Sequence, residues 1–212
     1  MTELRLDPAP ELTMSIGEAM FTQRAMRRLK PNPVSDAHLK ILVDAASKAP
    51  NGGNYQPGRF LVIRERARIE AFGALYHEAW WAKRRDEGRP WTRREEIPGD
   101  SVFRMAALLA DELAEAPVVV LAFALHAGMG HSVLPGMQNL MLAARGLGIG
   151  STLTTLHPQV MDRVYAMFGV PEDVEFQGCI PLGYPRGRFG PTSRRPSKET
   201  TYFDAWSQPP PW

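Results

Sequence analysis

The nine residues 117–125, PVVVLAFAL, contain no charged or polar side chain. The run is far short of the roughly 20 apolar residues that span a bilayer, and it lacks the polar alternation of a strand with one wet face. It therefore predicts a central strand buried on both sides. Upstream, "SVFRMAALLADELAEA" has helical spacing of its apolar residues and stops at Pro117; downstream, "LPGMQNLMLAARGLG" forms a second apolar helix ended by Gly146 or Gly148.

The same alternation extends through the chain. Residues 1–12, with Pro8 and Pro10, read as an irregular arm. Ser15 can cap a helix whose apolar positions are Ile16, Ala19, Met20 and Met26, and Pro31 and Pro33 then keep the chain out of helix. Ser35 or Asp36 caps the next helix, with Leu39, Ile41, Leu42, Val43, Ala45 and Ala46 on its buried side and Pro50 at its end. Strands are expected at about 59–64, in "IGSTLTTL" and in "VEFQGCIPLGYP"; helices are expected in "ARIEAFGALYHEAWWAKRRDEG" and "PQVMDRVYAMFG". Few short strands among many helices give an α+β fold, an α/β sandwich, with residues 1–212 as one domain. A Trp- and Arg-rich segment at about 77–104 reads as an insertion. The aromatic tail 199–212 needs a surface to cover, either on its own chain or on a second subunit.

Composition narrows the function classes. With 44% hydrophobic and 23% charged residues the chain is ordinary globular protein. No stretch suits a membrane span, and "MTELRLDPAPELT" has neither the basic start nor the apolar middle of a leader peptide, so a soluble, cytoplasmic protein is expected. The lone Cys179 forbids an internal disulfide, and the five histidines never pair at i, i+4, which leaves no metal site to expect. The net charge is +2, but arginines cluster in "RAMRRLK", "AKRRDEGRPWTRREE" and "RGRFGPTSRRPSK". Acidic residues interrupt the middle cluster, which disfavours a nucleic-acid stripe; phosphate binding suits the other two.

The familiar catalytic motifs are missing. There is no GxxxxGK[ST], HExxH, CxxC or GxSxG, and "GLGIG" ends a helix rather than opening one, unlike a dinucleotide loop. A chain with arginines near both ends, a Gly/Asn loop in "APNGGNYQPGRF" and no evident nucleophile would have to borrow its reactivity from a cofactor. Arginines for a phosphate, and amides with backbone N–H groups for a planar heterocycle, suit flavin mononucleotide (FMN).

Four blocks, "QRAMRRLKPNPVSDAHLKILVDAASKAPNGGNYQPGRFLVI", "APVVVLAF", "GMQNLMLAARGLGIGSTLTTL" and "PLGYPRGRF" with "SRRPS", resemble in order the FMN-dependent nitroreductase family, over about residues 16–198. The resemblance implies a mostly antiparallel central sheet flanked by helices and an intertwined homodimer with two flavin sites, each lined by both subunits. It implies that Arg24, Ala25, Met26 and Arg27 approach the flavin, Arg27 at the pyrimidine edge and Arg24 at the phosphate. Gln23 and Ala25 stand where relatives usually have Arg and Ser. Pro50, Asn51, Gly52, Asn54 and Gln56 match a loop that lies along the flavin ring, and Gly58 occupies a position that is commonly Trp. Thr154, Thr155 and Leu156 occupy the place from which relatives offer an N–H to flavin N5, and Arg194 and Arg195 the place that grips the phosphate. Tyr76, Trp80, Trp81 and Trp91 are assigned to the substrate pocket or lid.

The activity so implied is ping-pong electron transfer from NADPH or NADH through FMN to a small electron-poor acceptor such as a nitroaromatic or a quinone, with no partner in nucleic acid or membrane. Two other readings stay open: a different flavin reaction of the same family, such as dehalogenation, enone reduction or dehydrogenation, and a protein that binds or sequesters FMN without turnover.

Overall fold

A computed structural model describes residues 9–212. The proposed arm therefore falls largely outside the described residues. Helix α1 spans Ile16–Thr22, with the Ser15 hydroxyl accepting the Glu18 N–H at its start. Helix α2 spans Asp36–Ser47, and Ser35, rather than Asp36, caps it through the His38 N–H. After the glycine loop come strand β1 (Gly58–Ile63), the long helix α3 (Arg66–Asp86) and helix α4 (Val102–Glu112). Strand β2 (Val118–Ala124), helix α5 (Leu134–Gly146) and strand β3 (Gly150–Ser151) follow, then helix α6 (Met161–Phe168) and strand β4 (Glu175–Gly183).

The strands form one antiparallel sheet in the order β1-β2-β4-β3. Every residue of β2 is buried, as its composition requires. Val119, Leu121 and Phe123 face α3, α6 and the end of α4, packing with Ile69, Phe72 and Tyr76. Val118, Val120, Ala122 and Ala124 face α2 and α5, packing with Leu42, Met137 and Leu140. The period-two alternation of strand side chains thus gives each sheet face its own core. Where β2 passes β4 the register shifts between Ala122 and Phe123, which pair with Gly178 and Phe176 and leave Gln177 as the extra residue of a bulge.

Three expectations need correction. The first helix stops at Thr22, and of its apolar positions only Ala19 is buried; Ile16 and Met20 are exposed because no element among the described residues covers them. Met26 belongs instead to an extended segment that lies beside β3, its N–H donating to the Ser151 carbonyl at 2.9 Å. The stretch "IGSTLTTL" yields a ladder of only two residues and, after a break, an isolated pairing of Thr154 with Cys179. Gly148 adopts φ +71°, which explains the glycines of "GLGIG" as a turn out of α5.

Candidate functional site

The residues singled out from the sequence fall into two groups. The first lies at the β3 edge. Ala25 bridges Ser151 in parallel, Met26 is buried against the Cα of Gly150, and Arg24 and Arg27 flank them, Arg24 exposed and Arg27 half-buried. A Cβ on Gly150 would sit 2.9 Å from that of Met26, so only glycine permits this approach. The C-terminal segment returns to the same neighbourhood: the Thr192 N–H donates to the Phe21 carbonyl at 3.0 Å. At most about 20 Å of chain therefore separates Arg24 from Arg194. Among the described residues, neither Arg24, Arg27, Arg194 nor Arg195 has an acidic partner, whereas Arg28, one residue along, pairs with Glu112.

The strap 152–156 joins this group through a hydroxyl pair. Tyr76, 2% exposed on α3, meets the Thr154 hydroxyl at 2.8 Å. Burial pushes the Tyr76 phenol well above its usual range, the neighbouring Cys179 thiol adds to the rise, and the Thr154 bond and the charge of Arg27 oppose it. The Thr154 main chain is fully occupied, donating to Cys179 at 3.0 Å and accepting from it at 2.8 Å. Thr155 and Leu156 keep N–H groups without a partner among the described residues. Of the three residues suggested for an N5 contact, Thr154 is thus already committed and the other two are available.

The second group is the loop before β1. Pro50 is exposed; the Asn51 side-chain oxygen accepts the Gln56 N–H at 2.8 Å, and the Gln56 amide donates to Asn54 at 3.3 Å. Gly53, Asn54 and Gln56 all have left-handed φ, between 51° and 57°. Asn54 adopts that region readily; for Gln56 it costs about 1–2 kcal/mol, offset by the Asn51 bond to its N–H. Gly52 donates to the Ser132 hydroxyl at 3.2 Å. A cavity of about 300 Å³ opens beside the loop, lined in part by Gly58.

One chain does not bring the two groups together. The loop leads into Gly58, which pairs with Ala124 at one end of β2; Ser151 pairs with Leu182, which pairs with Val118 at the other end. The groups also flank opposite edges of the sheet. From strand rise and spacing the separation is on the order of 25 Å.

The four aromatic residues assigned to a lid are placed differently from that expectation. Tyr76 is a core residue, and α3 runs unbroken through the start of the supposed insertion. Trp80 stacks with the buried Arg84, whose guanidinium lies 5.0 Å from that ring and 4.8 Å from Phe103. Trp81 donates to His77, and Trp91 packs on Phe103. The residues fill one another's contacts, and none lines the cavities of about 890, 300 and 330 Å³. The cavity of about 890 Å³ lies instead between the strap and α6, with Leu156, Met161, Tyr165, Val170 and Phe176 on its walls. Sequence reasoning missed it, although the amphipathic pattern of "MDRVYAMF" was a usable signal. Among the described residues no cluster of His, Cys, Asp or Glu could hold a metal, and no helix is long and apolar enough to cross a membrane.

The sequence profile of the nitroreductase family matches residues 21–184. A curated relative, the NADH dehydrogenase of Thermus thermophilus, is 29% identical over 199 residues, covering 84% of this chain and 90% of that one. The 5,6-dimethylbenzimidazole synthase of Rhodospirillum rubrum is 28% identical over 208 residues, again covering 84% and 90%. Among solved structures, a nitroreductase with bound FMN from Bacteroides fragilis superposes with a TM-score of 0.67 at 20% identity, covering 91% of this chain and all of that one.

Proposed function

The chain belongs to the nitroreductase family, and from that premise we propose that it is an FMN-dependent NAD(P)H oxidoreductase that passes electrons to a small electron-poor acceptor, a nitroaromatic or a quinone, by a ping-pong mechanism. The observation that carries this reading is the β3 corner, where arginines without carboxylate partners among the described residues meet a strap whose peptide N–H groups are likewise unpaired there. That donor-rich, acid-free set suits FMN, and the FMN in the Bacteroides fragilis structure of the same fold supports it.

Bound FMN would supply acceptance and return of hydride at its N5. Arg24, Arg194 and Arg195 hold the phosphate by charge-assisted bonds. Arg27 places positive charge at the pyrimidine edge, where it favours the electron-rich form. The N–H of Thr155 or Leu156 donates toward N5, and the Tyr76–Thr154 pair holds the strap in place. The 890 Å³ cleft beside Leu156 receives the acceptor, its apolar walls excluding water from one side. Residues 50–56 lie too far from this corner to serve the same flavin, so the second copy of a homodimer contributes that loop. The exposed Ile16, Met20 and Phe21 and the tail 199–212 supply apolar surface for such an interface, and the tail crosses to the partner. The protein works in the cytoplasm as one domain.

The test is the visible spectrum of the purified protein mixed with FMN, before and after anaerobic NADPH and then NADH. A bound flavin band that bleaches and recovers on adding a nitroaromatic or quinone is expected. A bound flavin that neither nucleotide reduces would overturn the activity, and no bound flavin would overturn the cofactor.

A further inference from the structure

We propose, on the reading that the peptide N–H groups of Thr155 and Leu156 serve a flavin, that His157 is the positioning residue that aims them. Thr155 and Leu156 hang between two fixed points. On one side the Thr154 main chain pairs with Cys179, and a Cβ on Gly178 would lie 3.1 Å from the Thr154 carbonyl oxygen, so the strap sits close against β4. On the other side the next main-chain bond belongs to the turn Pro158–Val160, where the Val160 N–H donates to the His157 carbonyl at 3.2 Å. Among the described residues neither Thr155 nor Leu156 has a main-chain partner. The backbone alone therefore does not set the direction of their peptide planes.

The His157 ring, its side chain 18% exposed, supplies the second fixed point. Nδ1 accepts the Gln159 N–H at 3.3 Å. An accepting nitrogen carries no hydrogen, so the ring proton lies on Nε2, which donates to the Asp86 carboxylate at 2.9 Å. Arg85 holds that carboxylate from the other side at 3.3 Å and donates to the Gln159 side-chain oxygen at 3.0 Å. His157, Asp86, Arg85 and Gln159 thus close a circuit that returns to the ring. A lone exposed ion pair holds little in place, but in a closed circuit each member is fixed through two neighbours.

Both fixed points are tied to one helix. Tyr76 holds Thr154 through the hydroxyl pair, and Asp86, about 15 Å further along α3, holds His157. Gln159 adds a third tie to the same helix, its amide donating to Glu78 at 2.6 Å. Helix α3 is therefore the rail along which the strap is laid, and the two residues between the ties take their orientation from it. Removing the ring leaves the Thr154 pairing and the Leu156 side chain against the core, but frees the intervening peptide planes to rotate. N–H donors act on developing charge only when they are held in place beforehand.

The experiment is nuclear magnetic resonance of the full chain carrying ¹⁵N-labelled FMN, with FMN affinity and the rate of flavin reduction by NADH or NADPH measured alongside. His157→Ala should move the N5 resonance to higher frequency, as loss of a hydrogen bond to that nitrogen requires, while N1 and N3 stay in place. FMN affinity should stay within about threefold of wild type, and the limiting reduction rate should fall about tenfold or more. Asp86→Ala, which spares the ring and serves if the histidine variant does not fold, should move N5 in the same direction; Asp86→Asn keeps an acceptor oxygen and should restore it. An N5 resonance unchanged in both alanine variants, equal movement of all the flavin nitrogens, or loss of FMN from both would each overturn the assignment. Wild-type protein that binds FMN but is reduced by neither nucleotide would overturn the proposed activity alone, since the N5 comparison needs no turnover; wild-type protein that binds no FMN would overturn both.

Discussion

Tyr76 and Thr154 provide a sharp test of how the strap is held. The two hydroxyls are 2.8 Å apart, with the tyrosine 2% exposed and the threonine half-buried, so the phenol above all cannot turn to bulk water when its partner is removed. Tyr76→Phe deletes one oxygen and strands the Thr154 hydroxyl; Thr154→Val, nearly the same shape, strands the phenol. Leaving a buried polar group unpaired costs about 1–3 kcal/mol, while replacing both partners by apolar groups of like shape is close to neutral. Each single variant should therefore lose about 1–2 kcal/mol, and the double variant should lose no more than the worse single, a coupling of at least about 1 kcal/mol. Urea unfolding followed by far-UV circular dichroism gives the four stabilities, with the slope held equal across the set. Strict additivity would refute the reasoning, because it would mean that the two hydroxyls have separate partners in solution.

Three further outcomes follow from the packing and the charges. Gly73→Ala should cost about 1–3 kcal/mol or more, since its Cβ would lie 2.8 Å from the Ala114 Cα, which is backbone and cannot swing away; thermal melting checks it. Glu78 accepts two N–H groups of Arg163 and the Gln159 amide, which hold its carboxyl down to about 2. A carboxylate with a depressed folded value stabilises fully above its unfolded value of about 4.3 and loses that contribution as the pH falls toward the folded one; Glu78→Gln should flatten the melting temperature between those limits. Replacing Arg194 and Arg195 together by Ala should weaken FMN at least tenfold in a fluorescence titration, since charge-assisted bonds are worth roughly 1.5–3 kcal/mol each, and affinity within twofold of wild type would remove these arginines from the phosphate.

The elements that were legible are those whose patterns carry their own boundary signals. Ser35 capped α2, Gly169 closed α6 in the left-handed region, and the unbroken apolar run of β2 announced a strand covered on both faces. Position in space was harder. Ile16 and Met26 shared one helical spacing in the sequence, yet one is 76% exposed and the other lies under Gly150, because the helix ends between them. The short β3 ladder was not visible either: Thr and Leu suit strands in general, and only tertiary contact shows that Thr152 and Leu153 leave the ladder before Thr154 rejoins it at Cys179. At the site, motif matching located residues but not their partners. Arg24 and Asn51 both carried the flavin signal, while their separation at opposite corners depends on strand order, which no local pattern encodes. Tyr76 looked like a pocket residue because aromatic enrichment does not distinguish a lid from a core, and its bond to Thr154 spans 78 positions.

The placement of the tryptophans gives the molecule a built-in optical reporter. Trp80, Trp81 and Trp91 are half-buried along α3 and the turn after it, whereas Trp206 and Trp212 in the tail are 83% and 64% exposed and stack only on Tyr202 and Phe203. Excited at the red edge, the free chain should emit as two populations, and iodide should quench mainly the tail. Anything that covers the tail, a second copy included, will shift its emission to the blue and shield it from the quencher, so that assembly can be followed by fluorescence without a label.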